Sequence, residues 1–219
     1  MEFTNSPLAT VTILSPNHSG QRNHEIDTIT IHCAVAQWTG KRLGEHFAKP
    51  SRKASCNYGV GYDGSICLIC EEKNRSWCSS SADNDHRAIT IEVASDTKAP
   101  YTVTAKAYSA LIELVADICK RNNIKELKWK GDKSLIGQVD KQNMTVHRWF
   151  AAKTCPGEYL YSRHSDIAAK VNAKLQQDTS NKTLYRVQVG AFSNKNKAEN
   201  LLKQLKKAGF NGFITTDKG

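Results

Sequence analysis

The run "DTITIHCAVA", 27–36, is rich in β-branched residues and alternates between faces, which predicts a strand. "GKRLGEHFAK", 40–49, has the spacing of a short helix, ended by Pro50. "SCNYGVGYDGSICLIC", 55–70, predicts two strands joined at Asp63-Gly64, a dipeptide suited to a tight hairpin. "HRAITIEVAS", 86–95, is a third apolar strand, with one acid, Glu92, inside it. In "TAKAYSALIELVADICKRNN", 104–123, Leu111, Leu114, Val115 and Ile118 recur on one face of an amphipathic helix. A further helix is predicted over 159–176. Strands interleaved with helices predict an α/β domain, a sheet with helices packed on it, over 1–175.

The polar stretch 176–183 has no apolar periodicity and reads as a linker. Residues 184–219 then read strand, helix, strand. They carry seven Lys+Arg against two Asp+Glu, which is half of the net charge of +10. Such a charge favours polyanionic surroundings: nucleic acid, an anionic membrane face or an acidic wall polymer. No stacking aromatic pair or recognition motif supports nucleic acid. No apolar run approaches the roughly 20 residues that span a bilayer. The N-terminal residues lack the basic and apolar regions of a signal peptide, so synthesis in a reducing cytoplasm is expected. Seven cysteines, an odd number without framework spacing, exclude a complete set of disulfides.

"VHRWFAAKTCPGEY", 146–159, sets His147, Lys153 and Cys155 close together before a turn at Pro156-Gly157. His-x7-Cys is too wide for one helical turn and fits a loop that folds back, bringing an imidazole and a thiolate together. His32 is the candidate third ligand. Its neighbour Cys33 points to the opposite face of the strand and cannot share the same metal. Two imidazoles and one thiolate form a zinc set that leaves a fourth position open, as catalytic sites require. Cys67 and Cys70 form a CxxC, but i and i+3 on a strand face opposite sides, so these read as buried apolar residues, as do Cys33 and Cys119. Cys56 and Cys78 receive no role. Among the other histidines only His86, just before the Glu92 strand, is a candidate to border a groove.

A strand ending in His, an "NYGV" turn, an "AITIE" strand and an "H…KxCPG" element, in this order, resemble the type 2 N-acetylmuramoyl-L-alanine amidases over residues 20–175. The resemblance implies a mixed central sheet flanked by helices, and Zn2+ held by His32, His147 and Cys155. It implies catalytic helpers Glu92 and Lys153, with Tyr58 lining the site. The substrate implied is bacterial peptidoglycan, cut at the amide between the lactyl group and L-alanine. The chemistry agrees: Glu92 can carry a proton from water to the leaving amine, and Lys153 offers charge to a developing oxyanion. Two other readings stay open. Cys155 could be the nucleophile of an endopeptidase with His147 as base, or the domain could bind the wall without cutting it.

"YRVQVGAFSNKNKAENLLKQLKKAGFNGFI" resembles the first β-α-β half of a SPOR domain, a module that binds glycan strands stripped of peptide. With an amidase ahead of it, the combination suggests a phage endolysin that reaches the wall after release.

Overall fold

The structure, a computed structural model, describes residues 3–180 and 187–216, with side chains as far as Gln177 in the first segment. The chain divides into two compact units, Met1–Ser180 and Asn181–Gly219. In chain order the first contains strands β1 (Val11–Thr12), β2 (His18–Gln21) and β3 (Thr28–Cys33), then helix α1 (Gly40–Phe47). Strands β4 (Tyr58–Val60), β5 (Ile66–Leu68) and β6 (Asn74–Ser76) follow, then α2 (Ala82–Arg87), β7 (Ala88–Val93) and α3 (Ala105–Arg121). Strand β8 (Met144–Thr145) and helices α4 (Gly157–Tyr161) and α5 (His164–Ser180) complete it.

Six strands form one mixed sheet in the order β1-β5-β4-β7-β3-β8, and β2 and β6 pair apart from it. All its pairings are parallel except the β4–β5 hairpin. That hairpin turns where predicted, with Gly64 at φ +87°, a conformation that favours glycine.

Period-two alternation gives the central strands two unlike faces. Ile29, Ile31, Tyr58, Val60, Ile89, Ile91 and Val93 join one core cluster with Leu111, Leu114, Val115 and Ile118 of α3 and Ile167 and Val171 of α5. The other face carries Thr30, His32, Thr90 and Glu92, set side by side because β3 and β7 pair in register as Thr30↔Thr90 and His32↔Glu92. A one-residue slip would exchange the faces and bury these polar groups in the core, so the register is strongly specified.

The predicted helix over 159–176 is two helices. Ser162 Oγ donates to the carbonyls of Glu158 and Tyr159, closing α4 before α5 begins. The predicted linker starts too early: α5 runs on through Ser180, because residues 176–180 are polar but hold no glycine or proline to stop a helix. In the second unit the described residues contain helix α6 (Lys195–Lys207), capped by the Asn194 side chain. The flanking strands of the tail are not found there: 187–192 and 210–216 form no ladder, and residues 184–186 lie outside the described residues. Val187 is 88% and Phe213 77% exposed, so these segments lack the packed face that would hold a pair of short strands together. Among the described residues no helix is long and apolar enough to cross a membrane.

Candidate active site

The polar sheet face is covered at one end and open at the other. Asn84, on α2, donates to Thr30 Oγ1 (3.0 Å) and accepts from Thr145 Oγ1 (2.8 Å). Asn57 and Ser76 hydrogen-bond Thr90. The threonines are thereby satisfied. His32 and Glu92 differ: His32 Nε2 and Glu92 Oε2 are buried with no hydrogen-bond partner, which is costly unless something else engages these side chains.

What reaches them is the loop after β8. A 3-10 turn at His147–Trp149 presents His147, and Trp149 anchors it by stacking on Trp129 with ring centroids 5.1 Å apart. The chain then folds back: Arg148 N–H donates to the Cys155 carbonyl (3.1 Å) and Arg148 Nη2 to that of Thr154 (2.7 Å). The Cys155 thiol thus arrives 3.4 Å from His32 Nδ1, and the His147 ring lies 5.1 Å from that of His32.

Donor atoms of His32, His147 and Cys155 all lie within 4.8 Å of one another. Adjacent nitrogen and sulfur ligands of a tetrahedral zinc sit roughly 3.5 Å apart, given its usual bond lengths, so the observed 3.4 Å separation suits a shared ion. Two imidazoles and a thiol at this spacing form a donor set that fits a zinc ion. A second set, His32, Cys78 and Glu92, meets the same spacing and shares His32 with the first. Glu92 Oε1 is 4.0 Å from His32 Nδ1, next to the first set rather than in it.

Burial dominates the electrostatics. It lowers the His32 pKa to about 3, with His147 adding to the effect, so His32 is neutral at ordinary pH. His147 is lowered by burial and then by the Lys153 ammonium. Burial raises Glu92 to about 7, in the range where a carboxyl can both take and give a proton. Cys155 is held well above its usual value by a hydrogen bond with the Cys33 thiol, by burial and by Glu92. A nucleophilic cysteine needs the reverse, a lowered pKa.

Lys153, on the exposed part of the loop, lines a groove of about 470 Å³ together with Glu92, His147, Trp38, Trp77 and Arg52. The structure therefore gathers five of the six residues singled out above. Tyr58 is the exception. It pairs with Ile91 rather than Glu92, so its side chain enters the opposite, apolar face. There its hydroxyl donates to Glu72 (2.6 Å) and accepts from the Ser6 N–H (2.7 Å). Tyr58 is a core residue and does not line the site. His86 does not border the groove either: it precedes β7, at the end of that strand away from Glu92, and its Nδ1 accepts from the Asn23 N–H. The groove residues Trp38, Arg52 and Trp77, and the His147 partner Ser80, carried no signal in the sequence. They are brought together only by the fold.

These features define an amidase-type hydrolase domain, and the family profile described as N-acetylmuramoyl-L-alanine amidase matches residues 22–158. The chain belongs to that family. A SPOR-domain profile matches residues 161–216. That match begins within α4, ahead of the division at residue 180, yet Ile167 and Val171 of α5 pack in the first core. By packing, α5 belongs to the first unit. No curated protein matches the chain. Among solved structures it resembles a mutant endolysin from Bacillus subtilis, at 17% identity and TM-score 0.54, over 74% of this chain and 97% of that one. It also resembles the Staphylococcus aureus hydrolase AmiA in complex with its ligand, at 14% identity and TM-score 0.57, over 80% and 87%. A third is the endolysin N-acetylmuramoyl-L-alanine amidase LysCS from Clostridium intestinale, at 20% identity and TM-score 0.50, over 77% and 93%. At these identities the likeness concerns the fold.

Proposed function

We propose that the protein is a zinc-dependent N-acetylmuramoyl-L-alanine amidase that hydrolyses the lactyl-L-alanine amide of bacterial peptidoglycan. The observation that carries the reading is the in-register pair His32–Glu92, onto which one folded-back loop delivers His147 and Cys155 beside an open groove. His32, His147 and Cys155 would hold zinc, which supplies polarisation of the amide carbonyl and acidification of water. Glu92, outside that set and with a pKa near neutrality, takes the proton of the attacking water and passes it to the leaving amine. Lys153 places a cation at the groove, where negative charge develops on the carbonyl oxygen. The raised pKa of Cys155 speaks against the nucleophile reading.

Digestion of purified peptidoglycan is expected to release new L-alanine amino ends and no reducing sugar. Chelation is expected to abolish this and zinc to restore it. Full activity in a rigorously metal-free sample would refute the zinc reading and return Cys155 to consideration as nucleophile.

An endolysin role is part of the proposal, supported by the fold shared with endolysins. An endolysin clears suspensions of intact sacculi, whereas an enzyme of wall recycling prefers small muropeptides, and turbidity distinguishes the two. The SPOR match makes glycan strands the expected ligand of the second unit, and wall binding its task. Ending the chain at Ser180 is therefore expected to leave turnover of a soluble muropeptide nearly unchanged. It should also lower action on whole walls, which are polyanionic and attracted to the basic tail. A collapse of soluble turnover in a folded truncated protein would show that the tail takes part in the chemistry.

A further inference from the structure

The loop between β6 and α2 holds one residue in a backbone conformation that few side chains adopt. Ser80 has φ +65°, in the left-handed region that side chains other than glycine and asparagine rarely adopt. Such a conformation persists only where surrounding structure enforces it, and it concentrates at functional sites. The enforcement is visible. The buried Asp85 carboxylate accepts from the Cys78 N–H (3.0 Å) and the Ser79 N–H (3.1 Å). Ser79 Oγ donates to the Ser81 carbonyl and accepts from the Ser81 N–H, and Ser81 Oγ caps α2. The residues on both sides of Ser80 are thus tied down. Ser80 itself is exposed, and its hydroxyl lies 3.0 Å from Nε2 of His147, 67 residues away in sequence.

We infer that Ser80 is a positioning residue for the metal centre: its Oγ accepts a hydrogen bond from His147 Nε2–H, leaving the Nδ1 lone pair for the ion. The inference rests on the zinc reading above. A neutral imidazole has one protonated and one lone-pair nitrogen, and the partner of the first decides which nitrogen can bind a metal. Most metal-binding histidines are held in this way by a carboxylate, a carbonyl or water, and loss of such a partner typically costs ten- to a hundredfold in metal affinity. Here a hydroxyl on a strained loop takes that place. The strain acquires a reason, because the left-handed turn aims the hydroxyl at the ring.

Ser80→Gly tests this, since glycine adopts φ +65° without strain while the substitution removes the hydroxymethyl side chain. The metal-free variant is expected to melt at or above the parent temperature, while zinc affinity, measured by chelator competition, falls by about tenfold or more. Ser80→Asn, which tolerates the same backbone region and keeps a side-chain oxygen, is expected to recover part of the affinity. In the metal-free parent, 15N imidazole shifts should show His147 mainly as the Nε2–H tautomer, with that preference reduced in Ser80→Gly. A parent that takes up no zinc overturns the metal reading itself. Equal zinc affinity in parent and Ser80→Gly, or a parent His147 in the Nδ1–H form, overturns the role of Ser80 alone. Zinc loss accompanied by a lower melting temperature would assign the effect to the loop backbone and likewise overturn it.

Discussion

Glu92→Gln is expected to keep its zinc near the parent level while turnover falls by about a hundredfold or more, the usual scale for losing a general acid-base group. Glutamine preserves the shape of the side chain and a hydrogen-bonding end, but it cannot take a proton from water. Zinc is retained because Glu92 stands beside the His32, His147, Cys155 set rather than within it. The same variant has a second readout that needs no substrate. Burial raises the Glu92 pKa from its ordinary 4.5 to about 7. The folded metal-free protein therefore keeps this contribution in full below pH 4.5 and loses it as pH rises through 7. The histidines whose pKa values burial lowers, His32, His147 and His164, act oppositely, their contributions being lost as pH falls below about 6.5, but both proteins share them, so the difference between parent and variant isolates Glu92. From about pH 4.5 to 7 the stability of the metal-free parent relative to Glu92→Gln should therefore fall with rising pH. Loss of zinc from Glu92→Gln, seen by elemental analysis, would place the carboxylate among the ligands. Retention of both zinc and activity would move proton transfer to another group, with Lys153 the first to be tested.

Cys155→Ser is expected to lose metal and activity together, because a hydroxyl is a far poorer zinc ligand than a thiolate. The two variants therefore differ in kind: one separates metal from turnover and the other cannot. Zinc uptake should also release about one proton per ion near neutral pH in the parent, since the Cys155 pKa lies well above its usual value and a ligating thiol must deprotonate. In Cys155→Ser that release should largely vanish. Zinc content equal to the parent in Cys155→Ser would remove the cysteine from the metal centre.

The local elements were legible because each is determined by its own neighbours. Strand β3 was readable from β-branched alternation, α3 from an apolar face recurring every three to four residues, and the hairpin from Asp63-Gly64. The fold-back that joins His147 to Cys155 was legible too, because its ends are eight residues apart and proline and glycine mark its turn. The errors have equally local causes. Residues 176–180 looked like linker because polar composition was taken as the end of a helix, whereas ending one requires a stop signal. The strands flanking α6 were expected from β-rich composition, but a strand exists only through its ladder.

By itself the sequence determined which residue types were available: two histidines and a cysteine able to ligate a metal, one acid in an apolar strand, and a basic tail. Only the tertiary structure decided which of them meet. The parallel register of β3 and β7 put Glu92 beside His32, and the same alternation sent Tyr58 to the opposite face. Ser80 faces His147 only because the β6–α2 loop is tied to Asp85. Side-chain chemistry is a property of single residues, whereas a site depends on pairings between distant segments. Those pairings are chosen by burying one apolar sheet face against α3 and α5, a choice made by the whole chain at once.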